Sequence, residues 1–99
     1  MKIRGFVQVA GKRPKRMMKK FVSLFADDPA IKRILFVGDA YWVVMDDESL
    51  DMALYIMQKR LDFERRHHTY FECLLLSEEQ CCPYGEYWEF RRDSHADSV

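Results

Sequence analysis

The sequence predicts an α+β domain, an antiparallel sheet with two helices on one face, in the order strand, helix, strand, strand, helix, strand. Three observations predict it. Short apolar or alternating runs recur along the chain, two longer stretches repeat apolar residues at helical spacing, and Gly or Pro punctuates the junctions. Ninety-nine residues suit one such domain with a single hydrophobic core.

Residues 2 to 10 alternate, with Ile3, Val7 and Val9 on one face and Lys2, Arg4, Phe6 and Gln8 on the other, as in a half-buried strand. Gly11 and Pro14 bracket a turn, and Pro14 suits a first helical position, where a missing N–H costs nothing. Met17, Met18, Phe21, Val22 and Phe25 then predict a helix to about Ala26, ended by the segment DDPA because a residue before proline avoids the helical region. The runs IKRILFV and AYWVVM flank Gly38-Asp39, a two-residue hairpin signal. In the second helix Leu50, Ala53, Leu54, Met57 and Leu61 mark one apolar face. Asp46, Asp47 and Glu48 suit its start, and Arg65, Arg66, His67 and His68 its end, as the helix dipole favours. TYFECLLLS reads as a strand, and a loop around CCPYG leads to EYWEFRR, an extra C-terminal strand.

This order is the split β-α-β layout of a ferredoxin-like βαββαβ sandwich. Residues 1–92 form the expected domain and 93–99 a flexible polar tail. One feature exceeds a bare sandwich: ILFV, YWVV and CLLL are apolar on both sides. The second sheet face therefore needs a cover, from the C-terminal segment carrying Tyr84, Tyr87, Trp88 and Phe90, from a second copy in a homodimer, or from another protein.

Apolar residues make up 48% and aromatics 14%, the composition of a folded globule rather than a disordered chain. No run reaches the roughly 18 to 20 apolar residues of a membrane span, and the N-terminus lacks the apolar stretch of a signal peptide, so no membrane partner is expected. Cys73, Cys81 and Cys82 are odd in number and two are adjacent, a poor disulfide framework that points to a reducing cytoplasm. Adjacent cysteines also make a poor metal pair, and no matching Cys or His pair stands at finger-like spacing, so neither metal nor cofactor is expected.

The formal net charge of zero hides an asymmetry. Lys2, Arg4, Lys12, Arg13, Lys15, Arg16, Lys19 and Lys20 precede the first acid, and all 16 Asp and Glu follow residue 20. Lys15 and Arg16 sit where a helix start already carries partial positive charge, an arrangement costing on the order of 0.3–1 kcal/mol per cation. Cations beside free N–H groups form a natural anion or nucleic-acid site, although long basic side chains also serve simply as a solvated face.

The stretch GFVQVAGKR, Gly5 to Arg13, resembles the acylphosphatase signature, in which Gly-x-Val-Gln leads through a glycine to an arginine. The resemblance implies the ferredoxin-like fold and a phosphate held by Arg13 and loop N–H groups. Two departures stand against its catalysis: Val9 replaces the glycine after Gln8, and the chain has no asparagine to orient a water. A weaker resemblance, through AYWVVMDDESLDMAL, is to RNA-recognition domains, whose sheet aromatics stack on bases. Phe6 and Tyr41 are the candidate stacking residues, with core or interface roles as the alternative, and Trp88 joins them as an interface candidate. The basic, glycine-rich third-strand motif of that family is missing.

No nucleophile stands in a recognisable motif with His67, His68 or His95, so no catalytic residue and no enzyme is expected. The acids Asp46, Asp47, Glu48 and Asp51 serve helix capping more economically than Mg²⁺. Two functions remain. One is a protein-targeting regulator or inhibitor of the phage type, such as an anti-CRISPR protein, docking on a protein or nucleoprotein. The other is an RNA- or DNA-binding module using residues 12–20. The outer sheet face discriminates: open aromatics beside Arg4 favour nucleic acid, a covered or dimeric face favours protein.

Overall fold

The computed structural model describes residues 2–46 and 49–93. It is α+β, and its strands form one six-stranded mixed sheet. The elements are β1 (Lys2–Ile3), β2 (Phe6–Ala10), α1 (Arg16–Ser23), β3 (Ile31–Val37), β4 (Ala40–Met45), α2 (Leu50–His67), β5 (Glu72–Leu76) and β6 (Tyr87–Arg92). The tail beyond Asp93, with His95, and the acids Asp47 and Glu48 lie outside the described residues.

The sheet order β1-β2-β6-β3-β4-β5 departs from the simple four-stranded ferredoxin-like order. The C-terminal strand causes the departure. β6 inserts between β2 and β3, antiparallel to both, so α1 connects strands that are not neighbours. β4 and β5 pair in parallel across α2, whereas β3 and β4 form the expected hairpin. At its tip Gly38 takes a φ of +59°, the positive first position that two-residue hairpins with strand-like twist require.

The alternating stretch at residues 2–10 breaks at Arg4–Gly5 into the small β1–β2 hairpin, which pairs Ile3 with Phe6. The break reverses the expected faces. Phe6 is 1% exposed within the helix-covered core, while Val9 is 49% exposed. A second correction concerns α2. Ile56, Phe63 and Glu64 are its buried residues, whereas the expected core stripe faces outward, with Leu50 73%, Leu54 59% and Leu61 41% exposed. Aromatic size decides this: Phe63 meets Phe21, Phe71 and the ring of His67, a cluster that fixes the rotation of the helix.

Both helices cover the same sheet face, over a core of Phe21, Val22, Phe25, Ile34, Phe36, Val43 and Phe90 among others. α1 ends three residues before the expected Ala26, and its end is held from outside. The Arg92 guanidinium donates to the carbonyls of Phe25 (2.9 Å), Ala26 (2.8 Å), Asp28 and Ile31 (3.0 Å), and lies over the Phe6 ring at 4.2 Å. Lys59 from α2 adds a bond to the Leu24 carbonyl at 2.7 Å. Carbonyls at a helix end lack intrahelical partners, and two cations satisfy them here.

The second face carries a smaller cluster, Leu35, Val37, Trp42 and Val44, all buried. Its cover is the chain itself: Leu76, Cys81 and Tyr87 pack on the cluster, and the Tyr84 ring meets Trp42 edge-on at 6.2 Å. A short 3₁₀ turn, Glu78–Gln80, carries the covering segment across and is fixed by a capping box between Ser77 and Gln80. Beside this cluster the buried Glu89 carboxylate receives Arg33 at 2.8 Å and Arg91 at 2.5 Å, and Arg33 reaches Glu78 at 2.9 Å. Burial raises the Glu89 pKa, but the hydrogen bonds from Arg33 and Arg91 outweigh it and leave the carboxyl below its usual range.

Two predictions follow from these anchors. Arg92→Lys keeps a charge but loses the fork of donors that spans four carbonyls, so stability in urea should fall by about 2 kcal/mol. Because the folded Glu89 pKa is depressed, the stability it contributes is complete above the unfolded value of 4.5 and is lost as pH falls through the lower, folded one. Urea midpoints measured from pH 6 downward should therefore decline less steeply in Glu89→Gln than in the parent, even though the variant starts lower.

Candidate binding surfaces

The basic loop is built on Gln8. Its side-chain amide donates to the carbonyls of Ala10 (3.2 Å), Gly11 (3.2 Å) and Lys12 (2.7 Å), folding residues 10–12 back over the strand end. The Trp88 indole N–H donates to the same Lys12 carbonyl at 3.1 Å. Gly11 lies against this ring with a φ of +98°, and a Cβ there would stand 2.6 Å from Trp88 Cδ1, so only glycine fits. The loop is therefore tethered at its base while Lys12 and Arg13 project to solvent.

Pro14 is buried, and Lys15 occupies the N-cap of α1 with no side-chain oxygen to offer the first-turn N–H groups. No acid stands in that turn. Met18, Phe21 and Val22 turn into the core, which leaves Arg16, Lys19 and Lys20 along the outer side of the helix. Among the described residues the side chains of Lys12, Arg13, Lys15, Arg16, Lys19 and Lys20 have no ion-pair or hydrogen-bond partner. Lys2 and Arg4 sit elsewhere, at the far end of β2, and Lys2 pairs with Asp93 at 3.8 Å.

The tertiary structure adds Arg66 and His67, which sequence reading assigned only to a helix dipole, and Lys59, to which it gave no role. A groove of 410 Å³ between α1 and α2 brings Lys20 together with Lys59, Arg66 and His67, against the single acid Asp62. Desolvation, then the charges of Lys20, Arg66 and His68, hold the His67 pKa below its usual range. The field along this side is thus positive from the loop, over α1, to the end of α2. Several acids are held internally: Asp28 on Lys59 and Tyr55, Glu64 on Arg60, Asp46 on Lys32, and Glu89 on two arginines. Others, such as Asp27, Asp39, Glu72 and Glu86, are exposed and scattered rather than gathered in a band.

The expected stacking aromatics are not available for bases. Phe6 lies beneath Arg92 in the core, and Tyr41 stacks on Phe71 at 3.8 Å within the helix-covered layer. Trp88 is half-buried against the basic loop. Arg4 therefore has no open aromatic face beside it. All three cysteines are free thiols, and burial pushes Cys73 up to about 11. Among the described residues no group of three or more His, Cys, Asp or Glu could hold a metal ion, and no helix is long and apolar enough to cross a membrane.

Comparison with protein-family models, curated proteins and solved structures finds no match for this chain.

The first turn of α1 gives a direct check on why cations stand there. Lys15→Asp supplies a capping carboxylate and removes a charge opposed to the dipole, so it should stabilise the fold by roughly 1 kcal/mol, read as a Tm rise of about 4–8 °C.

Proposed function

We propose that the chain is a non-catalytic binding protein, a regulator or inhibitor of the phage type, that docks its cationic side on an acidic protein or nucleoprotein surface. The observation carrying this reading is the clustering of unpaired cations. Exposed acids such as Asp27, Asp39, Glu72 and Glu86 are scattered over the surface, while the loop and α1 cations stand free in one band that continues to Arg66. A row of free cations at a helix start lowers stability, and an anionic partner compensates it. The covered second sheet face, with Trp42 and Val44 buried beneath the chain's own C-terminal segment, favours a protein surface over bases stacked on an open sheet.

A second reading, direct nucleic-acid binding, is supported by the same band. With no aromatic platform it would act through phosphates alone, with strong salt dependence and little sequence preference. One experiment separates the two. The tagged protein and a variant with Lys12, Arg13, Lys15 and Arg16 all replaced by Glu are used to capture partners from an extract of the source cells, with and without nuclease. Labelled RNA and DNA are titrated in parallel at 50 and 200 mM salt. A protein captured despite nuclease, and lost with the variant, is the expected result. Capture that vanishes with nuclease, together with RNA or DNA affinity that collapses at the higher salt, selects the second reading. Equal capture by parent and variant removes the cationic band from both.

A further inference from the structure

The apolar stripe of α2 and the open edge of the sheet lie on the same side of the molecule. Contacts along the helix fix its orientation. Lys59 and Tyr55 reach Leu24 and Asp28, toward α1. On the other flank Arg60 donates to the Phe71 carbonyl at 3.0 Å, and Glu64 accepts from the Phe71 N–H at 3.1 Å, toward the start of β5. Helical periodicity then places Leu50, Leu54, Met57 and Leu61, spaced four, three and four residues apart, beyond this second flank and away from the core. That spacing is the seam of a helix meant to pack on another helix.

The strand below is equally unfinished. Among the described residues β5 pairs only with β4, so its other edge presents a row of free N–H and C=O groups. Its sequence ECLLL contains no Lys or Pro, and Leu74 is exposed. The opposite edge shows how this chain blunts a strand when it must: β1 has only two residues, one of them Lys2, and is followed by Arg4. An edge of four consecutive apolar residues, charged only at its first position by Glu72, is a template for another strand.

The stripe is also complementary to itself. Asp51 stands in the first turn of α2 and Arg65 in its last, both beside the stripe, whereas Arg66 turns toward α1. Two copies of α2 laid antiparallel across a two-fold axis bring the acidic start of each against the basic end of the other, and their dipoles oppose favourably. A foreign partner would have to reproduce both this charge order and a free strand edge, which a second copy supplies automatically.

We propose that this chain forms a two-fold dimer in which β5 pairs antiparallel with β5 of a second copy and the two α2 stripes pack against each other above the joint. The sheet becomes continuous across the dimer, and the leucines are withdrawn from water. The cationic bands, which lie on the α1 side, remain open at the two ends. A dimer therefore offers an anionic partner two equal contacts, although the inference stands apart from the nature of that partner.

The test is sedimentation equilibrium of the full chain at 1–200 µM, beside the double variant Leu54→Glu with Leu61→Glu and the single variant Leu74→Lys. Circular dichroism and thermal melts verify that each variant folds, as substitutions at exposed positions should allow. The expected result is twice the 11.9 kDa chain mass for the parent and a monomer for both variants. Amide exchange of the parent, compared at high and low concentration, should show β5 edge amides protected only in the dimer. A parent monomeric at 200 µM overturns the proposal. So does a dimer that survives both sets of substitutions, or one without concentration-dependent protection in β5.

Discussion

The helical layer depends on the guanidinium of Arg92. This one side chain, from the last strand, gathers carbonyls from the end of α1 and from the loop into β3, and roofs the Phe6 ring. It thereby joins β2, α1, β3 and β6. A planar fork of fixed donors suits several carbonyls converging on one point, whereas an ammonium would reach fewer of them at good geometry. The arrangement also explains why β6 lies between β2 and β3. Only from that central position does residue 92 stand under the end of α1 while Glu89 reaches Arg33 on the opposite face. One strand thus ties both faces of the sheet.

Charge follows a consistent division. Where cations have structural work, they are matched: Arg33 and Arg91 with Glu89, Lys59 with Asp28, Arg60 with Glu64. Where they stand free, all but Arg4 of the N-terminal cations are collected on the loop and along α1, in a band that continues to the end of α2. α1 itself shows the contrast within eight residues. Its C-terminus is capped by two cations from distant elements, and its N-terminus is left uncapped among its own lysines and arginines. Stability was available there from a single acidic or hydroxyl side chain, and a binding role accounts for its absence.

Much of the local structure was legible. The Gly38-Asp39 hairpin, the buried strands, both helices and the extra C-terminal strand follow from apolar runs and breaker residues. Two readings of faces did not survive. The alternation of residues 2–10 assigned Phe6 outward because it assumed an unbroken strand, and the turn at Arg4–Gly5 restarts the count. In α2 the leucines mark the more regular stripe, yet Ile56 and Phe63 face the sheet because the aromatic cluster around Phe21 and Phe71 fixes the rotation. Periodicity reports that a helix has an apolar stripe; it does not report which of two stripes meets the core.

The sequence by itself determined the class of the fold, the basic character of residues 12–20 and the need to cover a sheet apolar on both sides, because these rest on composition and short-range spacing. The tertiary structure alone decided the strand order, the source of that cover, and the meeting of Lys20 with Arg66 and His67. The physical reason is separation along the chain. Residues 20 and 66 become neighbours only when two antiparallel helices share one face of the sheet, and residue 92 caps a helix ending near residue 25 only after the last strand has inserted at its centre.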